Sequence, residues 1–312
     1  MNPSTHPIIP VEMDQAAALR SLVADRQQSQ DAPNRISGMR SIAILSGKGG
    51  VGKTNVAVNL ALALGELGLR TAVLDADLGL ANVDVLLGVV PKFNLGHVLR
   101  GEKEMKEIVL AVNSKVSIIP GGSGLRELAD LDDQKQSWFI EKLSALEEDL
   151  DILILDTGAG IQRNVLAFAM AADRTILLTT PEPTAIRDSY SVLKSLCQAS
   201  KGNLEIGLVV NMATDDAEAE SVAERIRVAA AHFLGFTLPY LGCIWWDQAV
   251  RDAVKQRSTF LLLDGNTAAS RSVRILAYQL IEGVPAAEPK DSWGRGIKTF
   301  LFRLARQLNT KG

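Results

Sequence analysis

The strongest chemical signal in the sequence is a glycine-rich loop that carries two lysines and a threonine. Residues 47–54 match the spacing G-x-x-x-x-G-K-[ST], directly after an apolar run and directly before a helical pattern. Glycines let backbone N–H groups converge on phosphate oxygens at the start of a helix. The spacing therefore predicts that Lys53 reaches the β- and γ-phosphates of a nucleotide and that Thr54 binds Mg²⁺. The predicted nucleotide contacts are Gly47, Gly49, Gly50, Val51, Gly52, Lys53, Thr54 and Asn55.

Carboxylates that follow two other apolar runs could complete a magnesium–nucleotide site. Asp156 closes the run 152–155 and precedes a glycine-containing segment, so we predict that Asp156 binds Mg²⁺ and that Gly160 approaches the γ-phosphate. Asp75 and Asp77 follow another run, and one of them could orient water for attack on the γ-phosphorus. The competing interpretation is a carboxylate that only accepts backbone hydrogen bonds, and it fits Asp75 better than Asp77.

The residues after a later apolar run bear on which base is bound. Guanine-specific P-loop proteins commonly carry N-K-x-D there, whereas this run ends in N-M-A-T and keeps only the asparagine, Asn211. The sequence favours adenine, with the Asn211 amide as a candidate base contact. A turn-forming asparagine is the alternative interpretation. ATP and Mg²⁺ are the predicted cofactors.

From residue 41 onward, short β-branched runs alternate with longer helical patterns. This alternation can place the glycine-rich loop and the carboxylates at the ends of neighbouring strands. Near-continuous apolar strands joined by crossover helices predict an α/β fold of the P-loop NTPase type, mostly a parallel sheet with helices on both faces. The predicted strands are 41–46, 71–75, 116–119, 152–156, 175–179, 204–211 and 241–245, and the predicted helices include 54–67, 134–149, 184–199 and 217–234.

Two flanking segments differ from this alternating region, residues 41–284, which we interpret as the ATPase domain. Residues 1–40 combine a short helical pattern over 12–26 with a polar linker. Residues 285–312 begin with a proline-containing linker and end in a basic amphipathic helix over 292–308. The sequence therefore predicts an N-terminal helix, a central domain and a C-terminal amphipathic helix.

The C-terminal helix places its apolar residues on one face and most of its basic residues away from it. Either the apolar face docks on the central domain, or it enters a lipid interface while lysines and arginines meet anionic headgroups. The segregated charge and the linker favour reversible contact with an anionic membrane surface. The predicted membrane-facing residues are Ile297, Phe300, Leu301, Leu304 and Leu308.

Composition limits the other functions. The 312 residues contain two cysteines and three scattered histidines, so a disulfide scaffold and a zinc site are not expected. Residues 290–312 carry six basic side chains against one aspartate, which leaves an excess of negative charge in the rest of a chain whose net charge is −3. This distribution disfavours nucleic-acid binding through a broad basic face. The N-terminal residues lack a secretory pattern, and we expect a cytoplasmic protein.

Lys48 is not required by the generic loop motif. With it, the loop, the segment D-A-D-L-G-L-A-N that starts at Asp75, and D-T-G-A-G from Asp156 resemble the deviant Walker A ATPases of the MinD/ParA class, over about residues 41–282. The resemblance implies an ATP-bound homodimer in which Lys48 reaches the partner's phosphates, Asp77 positions the attacking water and Asp156 holds Mg²⁺ through water. Lys48, Asp77 and Asp156 are then the catalytic residues, and Thr54, Asp77 and Asp156 form the magnesium site.

Within this class, the N-terminal segment D-Q-A-A-A-L-R resembles the DQAxxLR element of the FlhG family (also called FleN or YlxH), ATPases that limit flagellar number and placement. In that family the element stimulates the GTPase FlhF, which implies that Asp14, Gln15, Leu19 and Arg20 contact a partner. The pair Trp245–Trp246 departs from the smaller or proline-containing dipeptide of the family, and this departure leaves the base contacts near it open.

The resemblance implies a slow regulatory ATPase that switches between monomer and ATP-bound dimer at the inner face of the cell membrane, near the flagellated pole. Implied partners are FlhF, flagellar C-ring proteins and a flagellar transcription activator. Two alternatives stay open at this point. One is a division-site ATPase of the MinD type, and the other is a transcriptional antiactivator that acts as a binding module.

Overall fold

A computed structural model describes residues 39–77, 82–122, 149–200, 204–282 and 296–309, together with residues 124, 138, 142, 146 and 147; the side chains of 297, 298 and 309 are outside this description. The predicted N-terminal helix lies outside the described residues, as does most of the predicted helix 134–149.

The described strands form a single sheet with the order β3-β4-β2-β5-β1-β6-β7-β8. Neighbouring strands are parallel, except that β3 runs antiparallel to β4. The predicted fold class is therefore confirmed. The strands are β1 (Arg40–Ser46), β2 (Thr71–Ala76), β3 (Leu110–Ala111), β4 (Val116–Ile119), β5 (Ile152–Ala159), β6 (Arg174–Thr179), β7 (Ile206–Ala213) and β8 (Tyr240–Trp245).

Helices connect these strands and cover both faces of the sheet. The described helices are α1 (Lys53–Glu66), α2 (Val83–Leu87), α3 (Leu95–Leu99), α4 (Met105–Ile108), α5 (Arg163–Ala171), α6 (Pro183–Ala199), α7 (Asp216–Leu234), α8 (Gln248–Lys255), α9 (Phe260–Leu263), α10 (Ala268–Glu282) and α11 (Gly296–Asn309). None of the described helices combines the length and apolar character needed to span a bilayer.

Two hydrophobic cores form because successive side chains of each central strand point to opposite faces of the sheet. In β1, Ala43 and Leu45 join the core that includes α5, α6, α7 and α11. Ile42 and Ile44 join the other core, which includes α1 and α10. With both faces covered, the strands are apolar almost throughout, and their carboxyl ends meet at one edge of the sheet.

The C-terminal helix α11 packs against α5, which follows β5 in the chain. Phe300, Leu301 and Leu304 are buried in the first core. Arg303 donates hydrogen bonds to the Ala171 carbonyl at 3.1 Å and to Oδ1 of Asp173 at 3.2 Å. Of the two interpretations of this amphipathic helix, docking on the central domain is the arrangement that the structure contains.

Candidate functional site

The loop of residues 47–54 joins the end of β1 to the start of α1 at the carboxyl edge of the sheet. Gly50 and Gly52 have φ values of 80° and 93°, a left-handed conformation that glycine adopts without steric cost. A Cβ atom added to Gly49 or Gly50 would meet no other heavy atom within 4 Å. The space beside Gly49 and Gly50 is therefore open, and a phosphate group can approach the backbone there.

The first glycine of the loop is tightly packed. A Cβ atom on Gly47 would lie 2.1 Å from the carbonyl carbon of Asp188, in the second turn of α6. The loop is thus held against α6 on one side and open to a ligand on the other. This packing explains why only glycine fits at position 47, a reason that the loop motif does not reveal.

Lys53 lies under the loop, where its ammonium group donates to Oγ of Ser46 at 3.1 Å. Burial lowers the pKa of Lys53, because the attraction of Asp156 and Asp77 offsets the loss of hydration only in part. The negative charges near the ammonium group therefore do not fully compensate for its burial. A phosphate oxygen would supply a charge-assisted hydrogen bond at this position.

Asp156 is the most unusual group of the site. Its side chain is 1% exposed, and neither carboxylate oxygen accepts a hydrogen bond of normal geometry. Burial raises its pKa to about 7. The Thr54 hydroxyl and the Lys53 ammonium group favour the charged form and lower the pKa, but by less than burial raises it. A buried carboxylate without partners is costly unless a cation or a hydrogen bond neutralises it. Carboxylate and hydroxyl oxygens are what Mg²⁺ prefers, so Asp156 and Thr54 fit the predicted metal site.

The two aspartates after β2 have different environments. Asp75 is buried and accepts hydrogen bonds from the backbone N–H groups of Asp77 at 3.3 Å, Asn82 at 3.1 Å and Val83 at 3.3 Å. Burial raises its pKa to about 6, although the backbone N–H groups lower it. Asp75 therefore accepts backbone hydrogen bonds from both ends of the segment that leads into α2. This agrees with the interpretation of Asp75 as a carboxylate that only binds backbone N–H groups.

Asp77 lies beside β5, where its Oδ1 is 3.5 Å from the position that a Cβ atom would take on Gly158. It also contributes to the electrostatic environment of Lys53 and Asp156. The structure thus brings together Lys53, Thr54, Asp77 and Asp156, although the chain between Asp77 and Asn82 lies outside the described residues. The part of Asp77 in orienting water stays a prediction.

Lys48 is directed to the start of α6. Its ammonium group forms an ion pair with Glu182 and donates to Oγ1 of Thr184 at 3.1 Å. The lysine side chain is 39% exposed and the glutamate 62%, so both remain accessible to another molecule. Sequence reasoning missed Glu182 and Thr184, yet the adjacency of β1 and β6 in a parallel sheet could have indicated them.

Asn211 reaches the loop from β7. Its Nδ2 donates to the Val51 carbonyl at 2.7 Å, and a Cβ atom on Gly52 would lie 2.5 Å from the same nitrogen. The amide thus holds the loop in place, a contact that the sequence analysis did not predict. Its contact with a base stays a prediction.

Gly160 lies at the same edge, directly after β5, and its N–H donates to the Ser46 carbonyl at 2.9 Å. Gly160 has a φ of 94° and open space around it, consistent with close approach of a ligand. Asp14, Gln15, Leu19 and Arg20 lie outside the described residues. Of the predicted membrane-facing residues, Phe300, Leu301 and Leu304 are buried against the central domain and Leu308 packs on the same core. The side chain of Ile297 is not described. Lipid contact would therefore require α11 to leave its docking site.

Comparison with known proteins agrees with this geometry. The family model described as ParA, "NUBPL iron-transfer P-loop NTPase", matches residues 38–281. Antiactivator FleN of Pseudomonas aeruginosa is 40% identical over 253 residues, which cover 81% of this chain and 86% of FleN. Flagellum site-determining protein YlxH of Helicobacter pylori is 34% identical over 302 residues, which cover 95% of this chain and 99% of YlxH.

Solved structures share the fold. The septum site-determining protein MinD of Pyrococcus horikoshii, complexed with Mg-ADP, matches with a TM-score of 0.63 and 26% identity. The match covers 80% of this chain and all of that one. A loop with an open cradle and a buried, unpaired carboxylate thus occurs in a chain whose structural relative binds a magnesium–nucleotide complex.

Proposed function

Because this chain belongs to the ParA/MinD family of P-loop NTPases and is FlhG-like within it, we propose that it is an ATPase that regulates flagellar number and placement through an ATP-dependent monomer–dimer switch. The names of the two relatives, an antiactivator FleN and a flagellum site-determining protein YlxH, support the flagellar part of the proposal. The nucleotide part is supported by the loop, Lys53 and the Asp156 carboxylate.

The position of Lys48 is the observation that best supports an ATP-dependent switch between monomer and dimer. Inside the loop, this lysine is bound to Glu182 and Thr184 of its own chain rather than directed under the loop like Lys53. An ion pair between exposed groups contributes little to stability, so it can be exchanged for a stronger contact at small cost. A phosphate group of a nucleotide in a facing subunit offers such a contact, because it carries more charge than one carboxylate.

In this proposal, bound Mg-ATP supplies the γ-phosphoryl group that is transferred to water. Residues of the chain hold it in place: loop N–H groups and Lys53 bind the phosphates, and Thr54 and Asp156 hold the magnesium ion. Asp77 orients the attacking water, and the partner's Lys48 stabilises the charge that develops during transfer. Hydrolysis removes the γ-phosphate that joins the subunits, and the dimer dissociates.

Light scattering of the full chain with and without Mg-ATP tests the switch. We expect the wild type and a Lys255→Ala control to dimerise with ATP, because Lys255 forms an exposed ion pair with Asp252 on α8 and is not part of the loop. Lys48→Ala is expected to remain monomeric with an unchanged melting temperature. ATP-dependent dimers formed by Lys48→Ala would remove the role assigned to this lysine.

The segment 1–35 is proposed to stimulate the GTPase FlhF, since it carries the D-Q-A-A-A-L-R element. GTP hydrolysis by the FlhF of the same organism can be measured with a synthetic peptide of residues 1–35 and with its Gln15→Ala variant. Stimulation by the first peptide alone would support this partner. No stimulation by either peptide would move the proposal toward a division-site role of the MinD type.

Membrane association is proposed to follow release of α11. The docked helix hides Phe300, Leu301 and Leu304, so the nucleotide-free chain should bind anionic vesicles weakly. Two released helices in a dimer would bind together and reinforce one another. Cosedimentation with phosphatidylglycerol vesicles should therefore increase with Mg-ATP in the wild type and remain low in Lys48→Ala. This release would bring the protein to the inner face of the cell membrane near the flagellated pole.

The name of FleN favours a second candidate function, the sequestration of a flagellar transcription activator by binding alone. The two functions differ in their need for hydrolysis. An Asp77→Ala variant that lacks ATPase activity and still represses flagellar genes normally would favour the binding function. Loss of repression in that variant would favour a switch that depends on turnover. Binding to flagellar C-ring proteins belongs to the same proposal.

A further inference from the structure

The carboxyl end of the docked helix α11 lies beside the start of α5. Arg163, the first residue of α5, donates a hydrogen bond from Nη2 to the Leu308 carbonyl in the last turn of α11 at 2.5 Å. Arg303, nearer the middle of α11, donates to the Ala171 carbonyl at the other end of α5. The two helices therefore run antiparallel. Because α5 begins where β5 ends, the carboxyl end of α11 is directed toward the edge of the sheet that carries the nucleotide loop.

The contact between Arg163 and Leu308 caps the carboxyl end of α11. The last carbonyl groups of a helix have no partner within it, and the helix dipole places partial negative charge there. The Arg163 guanidinium group satisfies one of these carbonyls and stabilises α11 in its docked position. The contact is exposed to water, so it shifts the docking equilibrium by only about two- to fivefold. A contact of this size can be broken when a ligand binds.

A short segment connects Arg163 to the nucleotide loop. Gly160, three residues before Arg163, donates its N–H to the carbonyl of Ser46, the last residue of β1, at 2.9 Å. The pairing of β1 with β5 is irregular between Ile44 and Ser46, so this bond lies beyond the regular part of the ladder. With a φ of 94° and open space around it, Gly160 can reorient its N–H without a steric clash.

A γ-phosphate group would offer the Gly160 N–H a second acceptor. A charged phosphate oxygen accepts a stronger hydrogen bond than the Ser46 carbonyl does. A turn of Gly160 toward the phosphate would move the chain that follows it, since Ile161 is 56% exposed and Gln162 is exposed as well. The start of α5 would then shift relative to α11, and the bond from Arg163 to α11 would break.

We propose that Arg163 is a positioning residue that couples the γ-phosphate site to the docking of α11. Without nucleotide, Gly160 bonds to Ser46 and Arg163 caps α11. With a γ-phosphate bound, Gly160 turns to the phosphate and the cap is lost. The inference rests on the proposed ATP binding and release of α11, and deepens them by naming the contact through which one acts on the other. Because such coupling is reciprocal, removal of the cap must also change the affinity for ATP.

Hydrogen exchange of the α11 backbone in the full chain measures docking, because a helix that leaves its site exchanges faster. We expect the non-hydrolysable ATP analogue AMPPNP, with Mg²⁺, to accelerate this exchange by about two- to fivefold in the wild type. MgADP, which lacks the γ-phosphate, should not accelerate it. Arg163→Ala should exchange at the faster rate without nucleotide and should not respond to AMPPNP. The matched control Arg303→Ala, at the other end of α5, should exchange faster in every state and still respond to AMPPNP.

Calorimetry gives the reciprocal measurement. Arg163→Ala has no cap to lose when AMPPNP binds, so it should bind MgAMPPNP about two- to fivefold more tightly than the wild type. Its affinity for MgADP should equal that of the wild type. Arg303→Ala should bind both nucleotides as the wild type does. Arg163→Lys keeps a cationic donor and should restore most of the wild-type response to AMPPNP.

Two results would overturn the role of Arg163 alone. One is an Arg163→Ala variant that still responds to AMPPNP and binds it with wild-type affinity, which would show that the arginine only stabilises the end of α11. The other is an equal gain in affinity for MgAMPPNP and MgADP, which would show that the contact does not sense the γ-phosphate. A wild type that binds MgAMPPNP without any change in α11 exchange would refute the proposed release of α11 together with this role. A wild type that binds neither nucleotide would refute ATP binding itself.

Discussion

The polar groups at the carboxyl edge of the sheet and those under α11 differ in how well they are paired. At the carboxyl edge of the sheet, Asp156 is buried without partners and Met212 is held in a left-handed conformation. Under α11, Leu304 is fully buried and Arg303 is paired with Asp173, which Ser41 also contacts through its backbone N–H and its hydroxyl. The unfavourable groups at the carboxyl edge thus lie where the ligand is expected, while the contacts of the docked helix contribute to stability in the ordinary way.

Removing the charge of Asp156 should have the largest effect. Asp156→Asn keeps the shape of the side chain and removes the group that fits Mg²⁺, so ATP hydrolysis should fall by about 10²–10³-fold. Without nucleotide, the variant should melt at the same or a higher temperature, because the wild-type carboxylate has no partner. Steady-state phosphate release and thermal unfolding measure the two effects.

Asp75→Asn is the matched control, since Asp75 is also buried at this edge but accepts three backbone hydrogen bonds. An amide offers one acceptor oxygen in place of two, so this variant should lose stability. If Asp75→Asn were stabilised and Asp156→Asn destabilised, the contrast between a structural and a metal-binding carboxylate would be wrong.

Substitutions in the docked helix α11 should change the free energy of unfolding rather than the rate of ATP hydrolysis. Leu304→Ala leaves a cavity under α11 and should lower the free energy of unfolding by about 2–3 kcal/mol. Phe302→Ala, on the same helix but 65% exposed, should change it by less than about 0.5 kcal/mol. Urea unfolding of both variants makes the comparison. Equal, small losses would show that α11 does not stay docked in solution.

The sheet was predictable because its physical signal is local. Near-continuous apolar runs separated by helical patterns placed seven strands within one or two residues of their observed ends, except that β5 extends three residues further, to Ala159. The two-residue strand β3 and the short helices α2, α3, α4 and α9 were missed, because four or five residues are too few to show a helical period. The longer helices α5, α8 and α10 were not named among the predicted helices either.

The site was predictable in its parts but not in its contacts. Lys53, Thr54, Asp77 and Asp156 do meet at one edge, as the order of strands requires. The bond between Asn211 and Val51 joins residues 160 positions apart, and nothing in the local pattern indicates it. The docking of α11 was left open, because an apolar helix face fits a protein core and a lipid surface equally well.

A substitution at Gly49 can distinguish an effect on nucleotide binding from an effect on the stability of the loop. A Cβ atom there meets no protein atom within 4 Å, so Gly49→Ala should fold with wild-type stability. The added methyl group would occupy space that a phosphate needs, and MgADP affinity should fall by about tenfold. Calorimetry beside thermal unfolding checks both expectations. Unchanged affinity would show that the open side of the loop is not the phosphate cradle.

The smallest expected effect is the pH dependence of stability that two buried carboxyl groups at the carboxyl edge contribute. Burial raises the pKa of Asp156 to about 7 and that of Asp75 to about 6, from an ordinary value of 3.8. Between about pH 4 and pH 7 the folded chain therefore holds protons that the unfolded chain has released, and the free energy of unfolding decreases as the pH rises through this window. Asp156→Asn should flatten the upper part of this dependence, between about pH 6 and pH 7, whereas Leu304→Ala should shift the whole curve without changing its slope. Urea unfolding at several pH values without nucleotide measures both. An unchanged slope in Asp156→Asn would mean that this carboxyl group does not titrate in the window, and the contrast between the two ends would then rest on packing alone.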